Sequence, residues 1–487
     1  MKSVTFFRMK SICAVMLVAL AVLVGSCSKE NGGTVGLPGS FKWITEINSE
    51  QPVFVAVDTP LKLEYATENV KSVTVGELPQ GWTATVDEAA GSVTLTATAQ
   101  AEQKVNVQVK VLGADDKEVV ESVALYCLNS FDNPKGTFVL NEGNMTTENG
   151  SLTYITPEGY VIADAYKAVN GTELGNVAQD MAFCNGKIYV IAQNGDLNAV
   201  GTKFENDGML VVMDAKTLKK EAALSKTELA DLDWPTHIAV LDDQHIYIRD
   251  NAMVRRLDLT TKTLHPVSGT NNAPKSQFLV IGGKVYTYKG GALPGLVEIS
   301  AESDAAKSIN FPYKKGEIQY QISQVLGTRA AEDGEVWVMG WSVGVGSANA
   351  FIGKFDPTTK KMTQKLIGVK PFVGASGVTF ANKGNKLYYA DGTTIYCLNF
   401  DAAEGEEAES VVTDLNNIDV NAGMLYNGIS AHPVTGLVYI NTIKGFAQFT
   451  QNQIWAFDFD ANTEEPVAKY ENYTHFPAGF FFYPEAK

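Results

Sequence analysis

The sequence predicts an all-β chain: a seven-bladed β-propeller preceded by a small immunoglobulin-like β-sandwich. Three observations predict it. A hairpin unit, clearest at residues 176–192 (NVAQDMAFCNGKIYVIA), joins two apolar strands through Asn185-Gly186. Asn-Gly between apolar runs is a strong hairpin signal, because both turn positions need positive φ. The unit recurs from Trp234, Ala273, Tyr320, Gly374 and Asn427, at a spacing of roughly 40–60 residues that suits propeller blades. A seventh unit is split: HFPAGFFFYP from His475 lacks a return strand, whereas TFVLNEGN from Thr137 and GSLTYIT from Gly150 lack a first one. A ring whose last blade takes strands from both ends leaves no free edge. Finally, apolar periodicity at 3.6 residues is missing beyond the N-terminal stretch, and only residues 223–233 suggest a brief helix.

Taken in order, the chain opens with an export signal at residues 1–26. Lys2, Arg8 and Lys10 precede an apolar run at 12–24, too short to cross a bilayer comfortably. The run ends in Val24-Gly25-Ser26-Cys27, which resembles a bacterial lipobox; the resemblance implies lipidation of Cys27. Ser28-Lys29-Glu30-Asn31 resembles the tag that sends Bacteroidetes lipoproteins to the outer face of the outer membrane. Several acyl chains would hold the protein stably on a membrane. The expected location is therefore the outer membrane, lipid-anchored and surface-exposed. Residues 27–40, rich in glycine, read as a tether.

Residues 41–128 alternate apolar and polar residues over six short segments, the pattern of an immunoglobulin-like sandwich without the Cys…Trp…Cys spacing of antibody domains. Its expected role is to hold the larger domain away from the lipid, with a partner-binding surface as the rival. Residues 129–136 form a linker, and 137–487 the propeller. Cys127, Cys184 and Cys397 are scattered through strands and read as buried apolar residues rather than a disulfide framework. With 39 basic and 55 acidic side chains the net charge is −16, which argues against nucleic acid or anionic headgroups as partners.

In a propeller, the lead-ins to the innermost strands and the loops after each second strand gather on one face. The lead-ins supply Gln179 and Asp180, Trp234 and His237, Lys275 and Gln277, Tyr320 and Gln324, Ser376, Asn427, and His475 and Phe476. The facing loops supply Asn144, Trp341 and the segments at 249–251 and 444–453. This mostly amide, hydroxyl and aromatic collection suits a large, polar, uncharged ligand. Each residue taken singly has a plainer reading as a strand cap or turn partner. His237, His475 and His432 are the histidines that a channel would have to unite for a metal; without a paired carboxylate they read as structural, and no metal is expected. No G-x-S-x-G, paired-carboxylate or phosphate-loop arrangement supports catalysis.

Residues 138–156 (FVLNEGNMTTENGSLTYIT) and 166–192 resemble the opening of the YncE-like propeller lipoproteins of Bacteroidetes, most sharply at Asn141-Glu142-Gly143-Asn144 and 176–190. One group of that family captures cobalamin and caps a TonB-dependent outer-membrane transporter. The resemblance implies a non-catalytic capture protein without a cofactor, which binds a nutrient on the propeller face and hands it to such a transporter. A corrinoid is the first ligand to consider, with a glycan, haem or siderophore behind it. A structural or adhesive propeller is the alternative, and a lactonase-like enzyme the remotest.

Overall fold

The computed structural model describes residues 37–485, except 50, 198–203, 315, 344–349, 372, 375, 376, 379, 462 and 463. The export segment, Cys27 and Ser376 lie outside the described residues.

Two four-stranded sheets come first. One runs Ser40–Trp43, Leu61–Glu68, Ser92–Ala97, Trp82–Asp87 in spatial order; the other runs Val53–Ala56, Glu118–Leu128, Lys104–Gly113, Val70–Val75. Alternation sets the faces. Lys104–Gly113 buries Val105, Val107, Val109 and Val111, while Lys104, Asn106 and Gln108 point to solvent. The valines join Leu63, Trp82, Leu95 and Leu125 in a core between the sheets; a fully buried side chain of this kind stabilises by roughly 2 kcal/mol. The structure has two strands more than the six read from sequence. Ser40–Trp43 and Val53–Ala56 are four residues each, too short to display an alternation.

Seven four-stranded sheets follow. Six are antiparallel meanders in chain order, spanning 176–224, 237–266, 279–310, 322–367, 380–414 and 424–471. The seventh combines Pro477–Phe481 with Thr137–Asn141, Ser151–Ile155 and Val161–Ile162. Apolar clusters link each sheet to the next. Their members include Tyr189 with Ile246, Val254 with Val285, Tyr286 with Val338, and Trp337 with Tyr389. Tyr388 and Ile440 link the fifth to the sixth, Tyr439 and Phe480 the sixth to the discontinuous sheet, and Leu140 and Val190 that sheet to the first. The series closes on itself, an all-β, propeller-like arrangement. At the Asn185-Gly186 turn both residues have positive φ (49° and 74°), as the hairpin signal requires.

The first pair of sheets is seated on the discontinuous one. Phe131 packs edge-on against Tyr154 (centroids 5.1 Å) and Tyr126 against Tyr160 (5.1 Å). Oε1 of Gln51 accepts the Val161 N–H at 3.1 Å, and Lys104 donates to the Tyr160 hydroxyl at 2.6 Å.

Two sequence expectations need correction. Residues 223–233 are not helical. Ala223 and Leu224 end the strand Lys220–Leu224, and the Glu228 carboxylate then accepts from both Ser225 N and Oγ to close a turn. That turn sends Leu229 and Leu232 into the core. The longest helix among the described residues is instead Ala165–Asn170, capped by Asp164 and by Gly171 at φ 70°, too short to show a period. Among the described cysteines only Cys127 is fully buried; Cys184 and Cys397 are half-buried, and all three are unpaired thiols.

Candidate functional site

The sheets' innermost strands begin on one face, and the loops after their second strands return to it. Four lead-ins enter through a non-glycine residue in the left-handed region: Val177 (φ 59°), Trp234 (50°), Asn427 (49°) and Phe476 (53°). This conformation costs roughly 1–2 kcal/mol for a residue with a side chain and is hardest for a β-branched one. Strain repeated at one structural position persists only where the surroundings over-determine it, as they do at binding sites. Buried amides lock the geometry. Asn141 Oδ1 accepts the His475 N–H (3.1 Å), and Asn194 Nδ2 donates to Asn176 Oδ1 (2.8 Å). The Asn452 side chain brackets Thr474, donating to its carbonyl (2.7 Å) and accepting its N–H (3.0 Å).

The centre of this face is charged. Glu142 follows the second strand of the discontinuous sheet. Its carboxylate accepts from Asn427 Nδ2 (3.3 Å), the Tyr426 hydroxyl and the Gln179 amide, and it lies in the field of Lys275. Burial nevertheless raises its pKa to about 7. The Lys275 ammonium is held below its ordinary pKa, first by burial and then by nearby Arg249. Deeper in, Asp180 Oδ2 lies 3.3 Å from Nδ1 of His237 and accepts the Ile238 N–H (3.1 Å), and Asp180 Oδ1 accepts from Gln277 Nε2 (3.4 Å). The carboxylate assigns the proton to Nδ1, and burial keeps the ring neutral by lowering its pKa. Nε2 of His237 and Oε1 of Gln179 are both buried without a hydrogen-bond partner. Buried polar groups are normally satisfied, so two orphans at one site call for an explanation.

Beside the charged centre lies an aromatic shelf. Phe449 stacks on Phe476 (centroids 4.3 Å, 19° between planes), Phe476 packs on Tyr426 (5.2 Å), and Tyr426 meets Phe446 edge-on (6.2 Å). Phe446 is 65 % exposed. Shelf and centre share residues: Tyr426 hydrogen-bonds to Glu142, and Glu142 N donates to the Phe476 carbonyl at 2.8 Å.

The family model of DUF5074, a domain of unknown function, matches residues 135–483. The chain belongs to the DUF5074 family. No curated protein matches it. Among solved structures it is similar to a quinonprotein alcohol dehydrogenase-like protein from Bacteroides thetaiotaomicron, with 14 % identity and a TM-score of 0.51 over 91 % of this chain and 99 % of that one. This is a likeness of fold. An auxiliary nutrient binding protein from Bacteroides ovatus aligns with a TM-score of 0.29 and 12 % identity, over 81 % of this chain and 96 % of that one.

Within the DUF5074 region the structure brings Gln179, Asp180, His237, Gln277 and Asn427 together, with Phe476 on the adjoining shelf. Trp234 stands at the rim, 39 % exposed. His475 lies farther out, with Nδ1 2.8 Å from Glu148 Oε2. Asn144 caps its own turn, accepting from Thr146 N and Oγ1. The peptide of Tyr320 is bracketed by Gln364 of the fourth sheet's outermost strand, and Gln324 points to solvent. Trp341 packs against the core between the fourth and fifth sheets. His432 is on the opposite face, in a groove with Lys383 and Asp460, where its Nδ1 accepts from Val434 N and Thr435 N. The three histidines are thus apart. Among the described residues no three His, Cys, Asp or Glu side chains are placed to hold a metal. From that opposite face a cavity of ≈ 350 Å³, walled by Phe183, Val240 and Phe481, reaches Asp180 and Gln277.

Sequence reasoning missed Glu142, Tyr426 and Arg329, the last buried in the field of Asp180; it named Asp180 and Lys275 but read the lining as mainly uncharged, which is only part of the centre. Glu142 was visible as the acid of the Asn141-Glu142-Gly143-Asn144 motif. A charged residue between an apolar strand and a left-handed glycine (Gly143, φ 72°) is the signal that locates it.

Proposed function

We propose that this chain is a non-catalytic, surface-exposed lipoprotein anchored through Cys27, in which a seven-bladed propeller behind an immunoglobulin-like sandwich captures a nutrient. Capture occurs on the lead-in face, and the ligand passes to a TonB-dependent transporter in the outer membrane. A corrinoid is the ligand put forward first, on the resemblance carried by Asn141-Glu142-Gly143-Asn144. The observation that carries the capture reading is the aromatic shelf joined to a polar centre. Stacked Phe449 and Phe476, with Phe446 largely exposed, offer flat apolar surface. Glu142, Asn427 and Gln179 offer hydrogen bonds at its edge. Large planar ligands with polar margins are held by this combination.

Calorimetric titration of residues 28–487 with cyanocobalamin and with cobinamide tests it. The expected result is saturable binding of at least one, weakened about tenfold or more by Phe476→Ala, the loss typical of an aromatic anchor. No heat from either, at protein concentrations that detect micromolar affinity, removes the corrinoid and directs the search to glycans, haem and siderophores.

A further inference from the structure

The arginines divide by location. Arg255 Nε donates to Asp250 Oδ2 at 2.7 Å, and Arg256 holds both oxygens of Asp304, at 2.6 and 2.9 Å. The two that face the channel have no carboxylate partner among the described residues. Arg249 donates to the Ala273 carbonyl (3.0 Å), Thr236 Oγ1 (3.3 Å) and Asn251 Oδ1 (3.4 Å). Asp233 and Asp250 lie in its field, but Asp250 is taken by Arg255. Arg329 donates to the Phe380 carbonyl (3.1 Å) and lies over that ring (5.5 Å). Lys275 likewise makes no ion pair within 4 Å among the described residues. A half-buried cation without a partner is costly, and a chain with 55 acidic side chains does not lack partners. Glu142 lies in the field of Lys275 and Asp180 in that of Arg329, yet neither carboxylate comes within 4 Å of its cation among the described residues; the neutral acceptors Gln179 Oε1 and His237 Nε2 stand unsatisfied in the same region.

We propose that the upper channel is a receptor for one anionic group, a carboxylate or phosphate, that Lys275 and Arg249 hold. Gln179 Oε1 and His237 Nε2 accept from a hydroxyl or N–H of the same ligand next to that group. The inference rests on the capture reading only for the molecule that carries the anion. The ligand then has two ends: a flat part on the shelf at Phe449 and Phe476, and an acidic group in the channel. Lys275 and Arg249 are only partly buried; Lys275 precedes an innermost strand and Arg249 ends a second strand, which puts both at the lead-in end of the channel, so the group enters from the side on which the shelf lies. Glu142, its pKa raised by burial to about 7, carries less negative charge at neutral pH than an ordinary carboxylate and repels an incoming anion less.

The test is thermal unfolding of residues 28–487 with inorganic phosphate or acetate at constant ionic strength, for wild type, Lys275→Gln and Arg256→Gln. A ligand that binds only the folded state raises Tm by mass action. A saturable rise is expected in wild type and Arg256→Gln, reduced by at least half in Lys275→Gln. Phosphate also stabilises folded proteins by exclusion from their surface; an equal rise in all three proteins is that effect and overturns the proposal. A response to acetate but not phosphate supports it as a carboxylate site, and the reverse as a phosphate site. Should Lys275→Gln not fold, phosphorus NMR on wild type decides: saturable broadening of the phosphate line supports the site, and an unperturbed line with no acetate response overturns it. The corrinoid titration separates the two readings. Phosphate or acetate binding without corrinoid heat keeps the anion site and removes that ligand; corrinoid heat with no anion response overturns the anion site alone.

Discussion

Glu142 sits between opposing demands: burial disfavours its charge, whereas Lys275 and the hydrogen bonds from Tyr426, Gln179 and Asn427 favour it. Burial prevails, and the pKa stands at about 7 against an ordinary 4.5. A raised carboxyl pKa means that the folded state binds the proton more tightly than the unfolded chain. The stability this contributes is complete below the unfolded value and lost as pH rises through the folded one. Wild type is therefore expected to lose Tm between about pH 5 and 8, and Glu142→Gln, which removes the titration, to show a flatter profile. Parallel Tm–pH curves for the two proteins would mean that Glu142 does not titrate in that window. At this scale the sequence was half legible. Gln179, Asp180, His237 and Asn427 could be named because lead-ins to adjacent strands converge. Arg329 could not, since nothing in the strand Ile322–Ala330 distinguishes an inward arginine near its end from one at the hairpin surface.

At the scale of elements, the loop between Thr137–Asn141 and Ser151–Ile155 carries the most information per residue. Gly143 lets the chain turn (φ 72°), and a Cβ there would stand 2.1 Å from the Asn149 carbonyl oxygen. Gly143→Ala combines a strained left-handed φ with a backbone collision, and the expected loss is about 2–3 kcal/mol, read as a lower midpoint in urea unfolding. Binding on the face should fall with it, because Glu142 N and Gly143 N hold the carbonyls of Phe476 and His475. The hairpins were legible because Asn-Gly and its relatives dictate backbone angles locally. Outer strands were less so. Val161–Ile162 has two residues, and its place is set by Ser151–Ile155 beside it rather than by its own pattern. The false helix at 223–233 arose because spacing alone could not show that Ser225 and Glu228 would bond each other in a turn.

For the whole molecule, closure depends on a strand from the far end of the chain. Pro477–Phe481 pairs with Thr137–Asn141 and covers Phe138, Val139 and Leu140. Truncation after residue 475 should leave that edge bare, replacing a cooperative unfolding transition with aggregation that light scattering detects. A truncated chain that stays monomeric and unfolds cooperatively would show that the ring does not need its last strand. The closure was legible as two half-units. The seating of the first two sheets on the ring was not, because Phe131, Tyr126 and Gln51 find their partners only in three dimensions.

The bond from His475 N to Asn141 Oδ1 joins residues 334 positions apart. Bringing such distant points together costs a flexible chain about 5 kcal/mol of loop entropy, recovered only after the sixth and first sheets already flank the gap. The six meanders are local and can form early, whereas the final strand must wait, so refolding is expected to stall at an open ring. How fast the protein matures is then governed by the docking of Pro477–Phe481, and a delay there lengthens the life of an exposed, aggregation-prone edge.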